Sequence, residues 1–172
     1  MNENKYNPEG KDIRFIDSHY HELFRIPDGG YITITLDNGE QSVRKCKYRG
    51  KTHVDVGGET LHICQFAELM ELAGNTYAPC PEPEVVAGYM ITRRIPARDK
   101  VFVVGHNPDA GQPWVTWQGR DDRPGYDLGH YFSNGSDAWS DCFRRADAER
   151  RDVPYQRQKA RPPKQKDRSE AR

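Results

Sequence analysis

From residue 12 onward, apolar and polar side chains alternate in short runs. The clearest run is YITITL at residues 31–36. Ile32, Ile34 and Leu36 face one way there, and Tyr31, Thr33 and Thr35 the other. Strict alternation of β-branched residues is the pattern of a half-buried strand. Asp37-Asn38-Gly39-Glu40 follows, and Asn-Gly is a strong hairpin signal, so residues 41–48 are expected to return antiparallel. Residues 52–56, Gly57-Gly58 and residues 59–63 predict another hairpin. Upstream, residues 13–16 and 22–26 read as short strands around the polar cluster DSHYHE. Pro27-Asp28-Gly29-Gly30 reads as a turn, because proline presets φ and the glycines accept positive φ. Short strands at this spacing predict a small curled antiparallel sheet or barrel.

The period then changes. Over residues 64–73, Phe66, Met70 and Ala73 share a helical face with Leu69 beside them, and Gly74-Asn75 supplies a C-cap. The sequence NTYAPCPEPE follows. Its three prolines exclude a helix or a central strand and predict a stiff, extended connection. Residues 85–95 read as one strand broken by Pro96. Residues 100–105 read as a strand buried on both faces, 113–118 as a third strand and 127–132 as a fourth. Asn134 is placed to cap a last helix, with Asp137 at its third position. Ala138, Trp139, Cys142, Phe143 and Ala146 form the stripe of that helix, and Val101, Val103, Trp139 and Phe143 are the expected core of the unit.

These elements predict an α+β fold. A small N-terminal antiparallel sheet with one short helix (residues 12–76) is joined by a proline-rich connection (77–84) to a second β-rich module capped by a C-terminal helix (85–151). Residues 1–11 and a basic tail, 152–172, are expected to be disordered, since no apolar periodicity survives in either.

Charge sharpens this outline. The net charge of the 172 residues is zero, yet residues 1–143 hold 15 basic and 21 acidic side chains, and residues 144–172 hold 11 basic and 5 acidic. An acidic body does not suit nucleic acid, whereas the basic tail does. No run reaches the length of a membrane span, and the first residues lack the apolar core of a signal peptide. A cytoplasmic protein is therefore expected, with Cys46, Cys64, Cys80 and Cys142 as reduced thiols.

Several constellations carry chemistry. His19 and His21 with Glu22, and His62 and Cys64 with Cys46, offer metal-ligand types two apart on strands. Neither reaches the three or four ligands with recognisable spacing that a site needs, so no metal and no cofactor are expected. Asp109, Asp121, Asp122 and Asp127 with His106 and His130 offer an acid–base set. No nucleophile elbow, phosphate loop or zinc-protease motif accompanies them, and a solvated, ion-paired turn explains GRDDRPG equally well, so catalysis is not expected. Trp114, Trp117, Tyr126, Tyr131 and Phe132 form either a core or a recognition surface. With Asp109, Arg120, Asp121, Asp122 and Asp127 beside them, such a surface suits a basic partner, because acidic groups can imitate a line of phosphates. Arg157, Lys159, Arg161, Lys164 and Lys166 give the tail a separate means of contacting nucleic acid.

The segment VFVVGHNPDAGQPWVTWQ with GYDLGHYFSNGSDAWSDCFRRA resembles a small module of large polyvalent proteins in Firmicutes mobile elements. The matching residues are Gly105, Asn107, Pro108, Val115, Thr116, Trp117, Gly129, His130, Tyr131 and Phe132. The upstream stretches LFRIPDGGYITITLDNGEQ, HICQFAE and NTYAPCPEPE look like the sheet domain that accompanies it. The two-part arrangement is also similar to a family of type II-A anti-CRISPR proteins from gut Firmicutes. That resemblance implies a non-enzymatic inhibitor that binds an RNA-guided CRISPR effector nuclease with its guide RNA and blocks target DNA binding or cleavage. The alternative is a nucleic-acid-binding accessory protein of a conjugative or phage element, acting through the basic tail. The acidic hairpin, residues 120–127, is the expected contact with a partner protein.

Overall fold

The computed structural model describes residues 12–152, so the expectations for residues 1–11 and 153–172 concern residues outside that range. The N-terminal half begins with a hairpin of β1 (Asp12–Ile16) and β2 (Glu22–Pro27). Next come β3 (Tyr31–Thr35) and β4 (Gln41–Arg49), paired across the Asn38-Gly39 turn. Gly39 has φ +83°, the left-handed conformation such a turn demands. Then β5 (His53–Val56) pairs with the far end of β4 and with β6 (Glu59–His62). Alternation does its work here: Ile32 and Ile34 are buried along β3 while Tyr31, Thr33 and Thr35 are only half-buried.

The first helix, α1 (Phe66–Leu72), is shorter than the expected span. Phe66 is its anchor. Its ring lies 5.0 Å from Phe15 and 4.8 Å from Tyr77, and Phe15 stacks on Phe24 at 4.4 Å. The helix stops in a Schellman arrangement: Asn75 N–H donates to Met70 O and Gly74 N–H to Glu71 O, with Gly74 at φ +68°. Only Phe66 and Ala67 are buried on α1, and Leu69 and Leu72 remain exposed.

The proline-rich connection opens with a strand, β7 (Thr76–Pro79), on the outer side of β3. Cys80 N–H donates to Tyr31 O, so the neighbouring pair Pro79–Ile32 is not a hydrogen-bonded one. The nitrogen of Pro79, which has no hydrogen to give, therefore faces the free edge, where strand prolines are tolerated.

The stretch 85–95 is not one strand. It is a tight hairpin of β8 (Val85–Val86) and β9 (Tyr89–Ala97), turning at Ala87 and Gly88 with φ of 49° and 84°. Two positive φ values in a two-residue loop are the signature of a type I′ turn, whose twist suits a hairpin. Nor does Pro96 break β9. β4 pairs with β9 only at Arg93 and Arg94, so that side of the strand is unpaired at Pro96. β10 (Lys100–His106), β11 (Trp114–Arg120) and β12 (Arg123–Phe132) complete the antiparallel order β12-β11-β10-β9-β4-β3-β7. The sheet thus runs across both halves, through Gln41–Arg94 and Ser42–Arg93.

The last element, α2 (Gly135–Arg151), starts where expected: Asn134 is extended and its side-chain oxygen accepts the Asp137 N–H at 2.9 Å. Its buried line is Ala138, Cys142 and Ala146, which pack on Ile95, Phe102 and Val104. The expected core needs correcting here. Val103 is buried, but on the opposite face of the sheet with Val115 and Trp117, and Val101 packs there too. Trp139 and Phe143 are 37% and 39% exposed. Each residue advances about 100° around a helix, so once 138, 142 and 146 point straight down, 139 and 143 are turned to the side. The architecture is α+β. Among the described residues no helix is long and apolar enough to cross a membrane.

Candidate functional site

The acidic hairpin between β11 and β12 is exposed, but most of its charge is already partnered. Arg120 reaches Asp99 at 2.9 Å and Asp122 at 3.0 Å, and Arg123 reaches Asp127 at 3.0 Å. Arg120 holds the Asp122 carboxyl below its ordinary value. Asp121 donates its backbone N–H to Asp99 O. Asp109 lies on a separate exposed turn, its N–H held by Asn107 Oδ1.

The aromatic residues divide between two faces of the sheet. Trp117 is 7% exposed and belongs to the core, so it offers no contact surface. Tyr126 stacks over it at 6.2 Å and shares its hydroxyl with Glu84. Gly129 passes so close that a Cβ there would lie 2.7 Å from Trp117 Nε1. Trp114 faces α2. It stacks on His106 at 4.0 Å, and the start of α2 at Gly135 rests against its indole. Burial lowers the His106 pKa, which favours the neutral ring in this stack. Phe132 packs beside Trp114 on the same face, and Tyr131 is exposed on the other.

Along α2, Trp114, Gly135, Ser136, Trp139, Ser140 and Phe143 line an open groove of about 770 Å³. Its far wall is pinned by Arg93 of β9. That guanidinium lies 3.3 Å from the Trp139 ring centre and 5.6 Å from Phe143. Its Nε is buried with no hydrogen-bond partner among the described residues, and burial lowers the Arg93 pKa. A partly desolvated cation over an indole contributes about 1–2 kcal/mol and fixes the ring's orientation.

The candidate acid–base set is not assembled: among the described residues His130 meets none of the hairpin carboxylates, and His106 meets an indole. His130 instead places Nδ1 3.0 Å from Asp141 Oδ2. Asp141 is 4% exposed and accepts the Thr116 hydroxyl at 2.6 Å and Arg144 at 2.6 Å. Arg145 donates to Thr116 Oγ1 and to Leu128 O. Burial pushes the Asp141 carboxyl up, but the bonds from Thr116, Arg144 and His130 outweigh it and hold it below its ordinary value. The Thr116 hydroxyl donates its hydrogen bond to Asp141 and is fully buried, so the group acts as a clamp between α2, β11 and β12. The sequence marks Asp141 only weakly, as a carboxylate beside Cys142 on the apolar side of an amphipathic helix.

The metal-ligand candidates are likewise drawn elsewhere. Glu22 pairs with Arg14 and Arg25, and Asp17 accepts the backbone N–H groups of His19 and His21. Cys46 is fully buried, and desolvation pushes its thiol up to about 12. Among the described residues no three His, Cys, Asp or Glu side chains gather closely enough to hold a metal ion. His62 and Cys64 do meet, with Nδ1 and Sγ 2.8 Å apart. Arg157, Lys159, Arg161, Lys164 and Lys166 lie outside the described residues. No family model matches this chain, and neither does any curated protein or solved structure.

Proposed function

We propose that the protein acts by binding a partner without transforming it, and that the partner is the RNA-guided nuclease of a type II-A CRISPR system with its guide RNA, met in the cytoplasm of a bacterial host. The observation that carries the binding role is the groove on α2. Trp139 and Phe143 are two large aromatic side chains left more than a third exposed, and Arg93 holds them in place. Aromatic and arginine side chains dominate interface energetics, and rings already fixed lose little entropy on docking. The choice of partner rests on the sequence resemblance. It is supported by the charge of the described residues, 17 basic against 22 acidic, which suits a basic nucleic-acid channel.

The test is a titration of full-length protein against purified effector–guide complex, reading complex formation and target cleavage. Binding at micromolar concentration or tighter is expected, with loss of cleavage. The double variant Trp139→Ala/Phe143→Ala removes two central contacts, and alanine at a hot spot weakens binding by about 2 kcal/mol or more. Reversing the hairpin charges with Asp121→Lys/Asp122→Lys should weaken inhibition by slowing association, most strongly at low salt. If the wild-type protein neither binds nor slows any type II nuclease tested at micromolar concentration, the choice of partner is wrong.

A further inference from the structure

His62 and Cys64 take no part in the surface on α2. His62 ends β6 and Cys64 lies in the turn that leads into α1. Cys64 Sγ lies 2.8 Å from His62 Nδ1, and the Cys64 backbone N–H points at the same nitrogen from 3.3 Å. A backbone N–H can only donate, so Nδ1 is the unprotonated ring nitrogen, placed to take the thiol proton. Cys64 is only half-buried. It lines an open cleft of about 460 Å³ together with Asp17, Glu68, Glu71 and Tyr77. Glu68 and Glu71 form no ion pair among the described residues. Carboxylates around a cleft raise the local concentration of cations and repel anions. The other thiols lack this arrangement. Cys46 and Cys142 are buried, and desolvation pushes both up to about 12. Cys80 is half-buried, with no imidazole in hydrogen-bonding reach among the described residues.

We propose that Cys64, with His62 as its base, is a reactive thiol that exchanges with small cationic disulfides entering the acidic cleft. The Sγ proton moves to His62 Nδ1 as Sγ attacks one sulfur of the incoming disulfide. A new Cys64 S–S bond forms and the S–S bond of the reagent breaks. The departing thiolate takes the proton from His62 and leaves as a free thiol. Cys64 is oxidised to a mixed disulfide, half of the reagent is reduced, and no other oxidant is needed. The carboxylates make the site selective by charge, since they disfavour the approach of an anionic disulfide and leave a cationic one attracted.

The test uses the full-length protein and two reagents of similar size and opposite charge: cystamine, and the disulfide of 2-mercaptoethanesulfonate. Peptide mass spectrometry after timed quenching gives separate rates for Cys64 and Cys80 in one molecule. In the wild type, cystamine should modify Cys64 at least about tenfold faster than Cys80, a modest share of what a positioned base provides. Cystamine should also outpace the anionic reagent at Cys64 by about tenfold at low salt, a preference that shrinks at high ionic strength. His62→Gln should slow Cys64 by about tenfold and leave Cys80 unchanged. The wild-type comparison stands whatever the variant does to folding. Equal rates at Cys64 and Cys80, or no preference for the cationic reagent, would overturn the proposal. An unchanged Cys64 rate in folded His62→Gln would remove His62 from it.

Discussion

Removing the carboxylate of Asp141 should be among the most damaging polar substitutions in the chain. Asp141 is 4% exposed, and its two oxygens accept hydrogen bonds from Thr116, His130 and Arg144, with Arg145 3.6 Å away. Asp141→Ala leaves the fully buried Thr116 hydroxyl without its acceptor and the Arg145 guanidinium, 13% exposed, without its counter-charge. Breaking a buried charged pair from one side destabilises by about 3–5 kcal/mol, because the remaining group stays desolvated. Arg144 touches the same carboxylate, but its side chain is 76% exposed. Its removal should cost at most about 1 kcal/mol, as for other solvated pairs. The contrast separates burial from pairing as the source of the effect. Urea denaturation of the full-length protein at pH 7, followed by tryptophan fluorescence, measures both. For a domain of this size, 3 kcal/mol also lowers Tm by about 6–12 °C. Acid supplies a second reading. The folded-state pKa of Asp141 is depressed below the ordinary value of 3.8. Its ionised form therefore stabilises the fold fully above that value, and the contribution is lost as pH falls through the lower, folded value. The stability gap between wild type and Asp141→Asn should thus hold steady from neutral pH down to the ordinary carboxylate range and narrow below 3.8. An Asp141→Ala protein within about 1 kcal/mol of wild type, or an Arg144→Ala protein equally destabilised, would refute the account of a buried clamp.

Two further substitutions test local packing. Gly129→Ala brings a Cβ to 2.7 Å from the indole nitrogen of Trp117 and should destabilise by about 1–3 kcal/mol, with a changed Trp117 signal in near-ultraviolet circular dichroism. Asn134→Ala removes the acceptor for Asp137 N–H and should cost about 1 kcal/mol in urea denaturation, whereas Asn134→Asp, which keeps an acceptor there, should cost far less.

The elements that were legible in the sequence are those whose signal is local. Asn38-Gly39 specifies its own hairpin, Gly74 its own C-cap, and Asn134 its own helix start. Each depends on three or four neighbouring residues and on no distant part of the chain. The hairpin at Ala87-Gly88 was not legible, because alanine rarely occupies the left-handed conformation, here φ 49°, and Ala-Gly is not a usual turn pair. Pro96 looked like a strand breaker because the sequence does not reveal that β4 leaves β9 after Arg94. The same limit applies to the aromatics. Trp117 and Trp139 are equivalent as letters. One is buried because β11 turns it away from α2 onto Tyr89 and Tyr126, and the other is exposed because Ala138, Cys142 and Ala146 are small enough to let the helix settle on that line. Asp141 illustrates the same point from the polar side: its partners Thr116 and His130 come from two strands, 25 and 11 residues away in the chain.

Arg93 brings the two halves of the molecule and the proposed contact surface into one physical argument. Its backbone lies at the place where β9 pairs with Ser42 of β4, which is where the C-terminal sheet continues into the N-terminal one. Its guanidinium lies over the rings of Trp139 and Phe143 on α2. The position of the groove wall is therefore tied to the β4–β9 pairing and not to α2 alone. The side chain also carries a desolvation cost: a buried Nε with no partner among the described residues, and a charge that burial disfavours. A partner that covered Trp139 would meet a ring whose orientation Arg93 already fixes. Surface acidity acts differently. The hairpin carboxylates Asp122 and Asp127 already hold arginines of their own and remain solvated. In the proposed complex, charges of that kind would set how fast a basic partner arrives, and the aromatic contact at Trp139 would set how long it stays.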